Sequence, residues 1–319
     1  MVHFFQYSLA ELEKFIFQKY GKKAYYSHAL FRQIYFAGNI SLSGMKEFIK
    51  VPEFHQTLLS ELNLKLSPIS RITEDGEVTK FISTLEDGLE VESVIISMYH
   101  YYTLCISSQV GCKMGCTFCE TGQMGLLRNL RVDEIVGQVY NAIHILGHDI
   151  RNIVFMGMGE PFDNFDAVIQ AIKIITEPKG FSFGKSQITI STVGRIDGIR
   201  KLAQLNWPRL NLAISINAPN DELRSELMPI NKTVPLAELK RALLEYPTRK
   251  SGLFLIEYVL IKNVNDAKEH ALQLVEFLKP LRARINLIPY NPRLLSPFEA
   301  PTEEDIHRFY LCLLSRIRG

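Results

Sequence analysis

Apolar residues recur with helical spacing through the first sixty positions. Leu9, Leu12, Phe15 and Ile16 fall on one face of a stretch opened by Ser8-Leu9-Ala10-Glu11, where a serine three residues ahead of a glutamate forms a capping box. Similar periods at 27–36 and 52–62 extend this into an N-terminal helical domain over residues 1–64. Two Asp-Gly pairs, Asp75-Gly76 and Asp87-Gly88, then punctuate runs rich in Val, Ile and Thr, which predicts an antiparallel β-hairpin connector over 65–98. From about residue 101 the period alternates. Strand-like runs at 103–107, 153–156, 187–191, 210–216, 254–261 and 285–288 are separated by helical patterns such as 132–146, 166–175 and 236–244. Strands alternating with helices imply βαβ units and a parallel sheet. Six units are too few for a closed eight-stranded barrel, so residues 99–319 are expected to form an α/β partial barrel.

Composition narrows the class without deciding it. Of 319 residues, 47% are hydrophobic and 22% charged, the balance of a folded globular chain. No apolar run approaches the ~18 residues of a membrane span, and Met1-Val2-His3-Phe4-Phe5 has none of the features of a secretory signal. A cytoplasmic protein with no membrane association is expected. The formal charge of +2 is too small to argue for nucleic acid on electrostatics. Lys22-Lys23 and the pair Arg128 and Arg131 read as solvated surface, and His144 and His148 as a helix surface with no third ligand in view.

Cysteine placement changes the picture. Four of the five cysteines, Cys105, Cys112, Cys116 and Cys119, lie within fifteen positions, and Cys312 stands alone near the end. In a chain of this size such clustering points to metal or redox chemistry rather than a disulfide framework. Cys112-Lys-Met-Gly-Cys116-Thr-Phe-Cys119 places three thiols on one short loop after a predicted strand. Three thiolates can bind three irons of a cubane and leave the fourth open to the amino and carboxylate groups of S-adenosylmethionine (SAM). The alternative, structural zinc, wants a fourth ligand, and none follows at suitable spacing. One βα unit later comes Met156-Gly157-Met158-Gly159-Glu160-Pro161. Its glycines permit close backbone approach to a ligand, and Glu160 offers a carboxylate to an ammonium group. The cysteine loop, this turn and Ser191 all fall at predicted strand ends, where parallel α/β sheets gather their chemistry, so they can converge.

These motifs carry a resemblance. Thr103-Leu-Cys105-Ile-Ser-Ser-Gln-Val-Gly-Cys112, the three-cysteine loop, Arg128-Asn-Leu with Glu134-Ile-Val-Gly-Gln138, Met156-Gly-Met-Gly-Glu160-Pro, Ser191-Thr192, Ser215-Ile-Asn217-Ala-Pro and Asn286-Leu-Ile-Pro-Tyr-Asn291-Pro are similar to the RlmN/Cfr family. Its members are radical-SAM methyltransferases that modify carbon 2 or carbon 8 of an adenine in large-subunit ribosomal RNA. The likeness runs the length of the chain. It implies a radical-SAM partial (β/α)6 barrel with a helical accessory domain, and methylation of adenine, at carbon 2, in ribosomal RNA and also transfer RNA. It implies a [4Fe–4S] cluster on Cys112, Cys116 and Cys119, and SAM held by Gly159, Glu160, Ser191, Ser215, Asn217 and Asn291. Glu92, thirteen positions before Cys105, takes the place of the proton acceptor at the RNA-bearing site, and Cys105 that of the resolving cysteine. The implied partners are RNA and an electron donor for the cluster, with the protein a monomer.

Two departures stand out. The family usually has histidine where Asn217 stands. It also carries a methyl-accepting cysteine beyond its last helix, whereas the sequence ends at Gly319. Cys312, in a helical run over 306–317 with Leu311 and Leu314, reads as a packing residue. Two alternatives follow from the missing carrier: a radical-SAM enzyme with a different reaction, and an inactive iron–sulfur paralogue that binds RNA.

Overall fold

The computed structural model describes residues 2–292 and 296–317. The first helix forms where the capping box opens it. Ser8 Oγ accepts from the Glu11 N–H, Glu11 Oε2 accepts from the Ser8 N–H, and α1 (Leu9–Tyr20) ends at a left-handed Gly21 with φ of 62°. Leu9, Leu12 and Ile16 are its buried face. Next come α2 (Tyr25–Phe31), which continues as a π-turn over Arg32–Phe36, and α3 (Pro52–Glu61) with proline in its first turn. Phe4, Phe5, Phe31 and Tyr35 are wholly or almost wholly buried and meet at ring-centroid distances such as 5.5 Å (Phe4–Phe31) and 5.6 Å (Phe5–Tyr35).

The chain divides into two compact units. The first comprises Met1–Val110, Asn129–Met158 and Asn164–Ile188. In it β1 (Ile69–Asp75), β2 (Val78–Thr84), β3 (Glu90–Met98) and β4 (Tyr101–Cys105) form an antiparallel meander, with Val78 opposite Ile96 and Val94 opposite Cys105. The Asp-Gly turns fall between β1 and β2 and between β2 and β3, as their backbone preference requires. Val91, Ser93 and Ile95 of β3 are buried, while Glu92, Val94 and Ile96 lie on its more open face. A fifth strand, β5 (Ile150–Phe155), joins β4 in parallel, and α4 (Val132–Tyr140) and α5 (Phe165–Ile175) supply buried Ile135, Val139, Val168 and Ile172.

The second unit comprises Gly111–Arg128, Gly159–Asp163 and Thr189–Gly319. Four parallel strands belong here: β6 (Ile188–Thr192), β7 (Asn211–Ser215), β8 (Phe254–Leu260) and β9 (Ala283–Pro289). Helices Ile196–Gln204, Leu236–Glu245 and Lys268–Leu278 intervene, and Glu303–Ile317 closes the described chain. With β4 and β5, these are the six parallel strands that the periodicity predicts, in a mixed α/β fold. Among the described residues of the second unit β9 pairs with β8 alone, so its parallel array stays open on that side. Among the described residues no helix is long and apolar enough to cross a membrane.

Two expectations need correction. His144 is no surface residue: its Nε2 lies 2.9 Å from the Tyr35 carbonyl, its ring packs on Tyr140, and burial lowers its pKa. His148 lies beyond the helical segment, its ring edge-on to Tyr102 at 4.9 Å. In the last helix the buried face is Phe309 and Leu313, whereas Leu311 is 50% exposed and Cys312 half-buried. Phe309 stacks on Tyr258 at 5.4 Å, and that contact selects the face. Gly319, where the sequence ends, lies outside the described residues.

The burial pattern makes a direct prediction. Ile190→Ala in β6, where the side chain is fully buried, should lower unfolding stability by about 2–5 kcal/mol. Ile72→Ala on β1, 49% exposed, should change it by less than ~0.5 kcal/mol. Urea unfolding of both variants checks the contrast, and equal losses would contradict the assignment of the core.

Candidate active site

In the second unit the three-cysteine loop is pinned by glycine geometry. Gly111 has φ of 77°, and a Cβ there would sit 1.8 Å from the Gly125 carbonyl oxygen, so no other residue fits. Gly115, between Cys112 and Cys116, also has positive φ, of 65°. The Cys119 N–H bonds back to the Cys116 carbonyl at 3.1 Å, which closes the turn. Cys112 and Cys116 are buried in an apolar cluster with Met114, Ala218, Met228 and Tyr290, and Cys119 packs against it. Burial in that setting pushes the Cys112 thiol up to about 11 and the Cys116 thiol up to about 12, with added repulsion among the three thiols and from Glu160. Free Cys112 and Cys116 therefore stay protonated at neutral pH, and a thiophilic metal centre would bind by displacing those protons. Among the described residues, no three His, Cys, Asp or Glu side chains gather as they would round one metal ion. The soft, all-thiol character of this loop is the donor set that an iron–sulfur cluster takes.

Glu160 stands beside this loop. The carboxyl is 2% exposed, with Oε1 accepting from Phe162 N–H at 3.1 Å and Oε2 from Val193 N–H at 2.9 Å. Burial outweighs these bonds and raises its pKa to about 7. A carboxyl so placed favours an incoming cation, whose charge would return it to the ionised form. Gly159, just before it, has φ of 105° and turns the chain into this position. Asp163 completes the segment and pairs with Lys113 of the cysteine loop at 3.3 Å and with Arg195.

Strand register accounts for the serines. Ser191 lies opposite Ala213, Ser215 opposite Glu257, and Glu257 opposite Asn286. Side chains alternate along a strand, so Ser191, Ser215, Glu257 and Asn286 share one face of the parallel array. Glu257 and Asn286 are joined at 2.7 Å, and burial raises the Glu257 pKa. The sequence reading did not single out Glu257: an isolated glutamate inside an apolar run was its only signal. Asn217 follows Ser215 with φ of 55°, and its side chain serves the fold: Oδ1 accepts from Val259 N–H at 2.8 Å and Nδ2 reaches Met228 Sδ at 3.4 Å. Asn265, also missed, holds the Asn217 carbonyl at 2.7 Å. Asn291 is exposed, one residue after buried Tyr290.

In the first unit Glu92 and Cys105 share the open face of the antiparallel sheet. Cys105 lies opposite Val94, two residues along from Glu92. Lys80 Nζ is 2.9 Å from Glu92 Oε2. Burial pushes the Cys105 thiol up to about 12, and the Glu92 charge adds to that. Gly157, expected to admit a ligand, is instead required by packing: a Cβ would meet Ser107 Oγ at 2.7 Å and the Ile106 backbone at 2.9 Å.

Comparison with known proteins agrees with this chemistry. Residues 106–275 match the family model described as the radical SAM superfamily. A "Probable dual-specificity RNA methyltransferase RlmN 1" of Protochlamydia amoebophila is 48% identical over 91% of this chain and 80% of its own length. A "Dual-specificity RNA methyltransferase RlmN" of Syntrophobacter fumaroxidans is 40% identical over 95% of this chain and 88% of its own. Among solved structures, a radical SAM methyltransferase from Sphaerobacter thermophilus superposes with a TM-score of 0.90 at 36% identity, covering 99% of this chain and 93% of that one.

Glu160 generates a pH prediction for the metal-free protein. Its folded pKa of about 7 lies above the ordinary 4.5, so folding binds a proton across that interval. The stabilisation is full below pH 4.5 and is lost as pH rises through about 7. Glu160→Gln should lower stability at low pH, because its amide nitrogen cannot accept from Phe162 or Val193, and should flatten the decline over this window. Urea titrations at several pH values measure the slope, and an unchanged slope would assign it to another group.

Proposed function

The chain belongs to the radical SAM superfamily and, within it, to the RlmN RNA methyltransferase family, and from that membership we propose that it methylates carbon 2 of an adenine in ribosomal RNA. The dual specificity named in the relatives supports transfer RNA as a second substrate. The family's cofactors are a [4Fe–4S] cluster and SAM. The observation that carries the proposal is the buried all-thiol loop next to the buried carboxyl of Glu160.

Cys112, Cys116 and Cys119 would hold the cluster, and three protein ligands leave one iron for SAM. Bound together, cluster and SAM supply radical chemistry strong enough to functionalise an aromatic carbon. The protein's own groups do the rest. Glu160 receives the SAM ammonium in a site closed to water, where its raised proton affinity gives way on pairing with a cation. Ser191 and Ser215 offer hydroxyls from one face of the sheet, and Gly159 turns the backbone toward the ligand. Asn217 contributes through its backbone, since its side chain is engaged with Val259 and Met228. In this reading Glu92 accepts the proton lost from the adenine carbon, with Lys80 Nζ 2.9 Å from its Oε2 to orient it. Cys105 releases the product. Its thiol, pushed up to about 12, becomes nucleophilic only when a base takes the proton, which guards it against premature reaction. The electron donor and a monomeric state complete the proposal.

Anaerobic reconstitution should load about four irons and four sulfides, and Cys112→Ala, Cys116→Ala or Cys119→Ala should abolish loading. Stoichiometric zinc with no iron uptake would contradict this. With methyl-labelled SAM and ribosomal RNA, nuclease digestion and mass spectrometry should find label on adenine carbon 2. Glu92→Gln should lower that yield by roughly 10²–10⁴-fold while SAM cleavage continues. Label on carbon 8, or none in RNA while SAM is cleaved, would refute the assignment.

A further inference from the structure

Arg224 is among the largest fully buried side chains in the protein. It lies on the short helix Asp221–Leu227, whose start is capped by Asn220 Oδ1 accepting from Leu223 N–H at 3.0 Å. The guanidinium donates from Nε to the Ile216 carbonyl (3.1 Å), from Nη1 to Asn231 Oδ1 (2.8 Å), and from Nη2 to the carbonyls of Val193 (2.7 Å) and Ser215 (3.1 Å). All four acceptors are neutral. They satisfy four N–H donors but do not cancel the charge, and a buried unpaired charge is among the costliest features a fold can carry.

Its surroundings show where the counter-charge belongs. The Leu227 carbonyl, at the end of the same helix, accepts from the N–H of Thr117 at 2.9 Å, the residue after Cys116. Leu227 and Met228 pack with Cys112 and Cys116. Cys116 and Asp221 both lie within electrostatic reach of the guanidinium. Asp221 adds a negative charge of its own, its carboxylate bonded to Asn231 Nδ2 at 2.9 Å and Leu236 N–H at 2.8 Å rather than to the guanidinium. The buried cation therefore lies on a helix that is bonded and packed to the three-thiol loop.

We propose that Arg224 is the buried counter-charge of the cysteine thiolates, a positioning residue that makes the cluster easier to reduce. This rests on the reading that Cys112, Cys116 and Cys119 hold the cluster. The same side chain organises the neighbouring turn. Val193 gives its carbonyl to Arg224 and its N–H to Glu160, so one residue joins the cation to the carboxyl.

Wild type, R224K, R224Q and R224M are reconstituted anaerobically, and the midpoint potential of each cluster is read by EPR-monitored redox titration. Thermal unfolding of the metal-free forms is measured alongside. R224K keeps the charge and should hold the wild-type potential, although it loses the fork and melts earlier. R224M and R224Q should be about tenfold harder to reduce, a shift of ~59 mV to more negative potential for one electron. If R224M does not fold, R224Q decides, because its amide keeps part of the hydrogen bonding without the charge. Earlier melting in all three variants with unmoved potentials would reduce Arg224 to a structural role and overturn the proposal. Failure of the wild type itself to take up iron would overturn the cluster reading and this inference together.

Discussion

Removing three thiols from water on one loop sets the terms for everything round them. In an apolar setting the ionised forms of Cys112 and Cys116 are disfavoured, and negative charges on neighbouring thiols repel. The loop can be prepared for a metal centre only if the surrounding chain holds it in place and supplies positive charge. Both conditions are met from the second unit. Gly111 and Gly115 allow the turn, Met228 and Tyr290 close over the thiols, and the helix Asp221–Leu227 bonds to Thr117 while burying Arg224. The arrangement costs stability in the metal-free state, since both the thiols and the guanidinium forgo solvation there. Cluster binding would relieve both costs at once, which couples assembly of the centre to consolidation of the loop.

The polar groups near this loop follow from parallel strand geometry. Parallel strands put their carboxyl ends at one end of the array, so the residues that follow them are brought near one another whatever their separation in sequence. Val193 and Glu160 meet in this way, and so do Ser215, Ile216 and the Arg224 fork. Register then sorts the strand residues by face. Ser191, Ser215, Glu257 and Asn286 fall on one face because their pairing partners differ by even steps. Buried Glu257 is tolerated because Asn286 bonds to it.

The first unit handles a titratable pair differently. Its antiparallel meander has a packed face, with Val91 and Ile95, and a more open one, with Glu92 and Val94. Glu92 stands there beside Lys80, whereas Cys105 on the neighbouring strand is sheltered and keeps its proton. A thiol of raised proton affinity and a carboxyl stand on adjacent strands, groups that nucleophilic and acid–base roles can use.

Much of this was legible along the chain, because it depends on neighbours within a few residues. The Ser8–Glu11 capping box, the two Asp-Gly hairpins, six parallel strands and the three-cysteine spacing are all local, and local hydrogen bonding and side-chain period decide them. Ser215 and the role of Cys105 were legible only through motifs that resemble a family. Arg224 carried no signal, since nothing in Asp-Glu-Leu-Arg-Ser-Glu-Leu tells a solvated arginine from a buried one. Glu257 and Asn286 lie 29 residues apart and meet only through strand register. His144 looked like surface until the Tyr35 carbonyl and the Tyr140 ring were brought to it, and the face of the last helix was chosen by Tyr258. Sequence alone determined which segments become helices and strands and which loop bears thiols. Tertiary structure decided which polar groups lose their water and which partner each then finds, because desolvation depends on the atoms that close over a group and not on its neighbours along the chain.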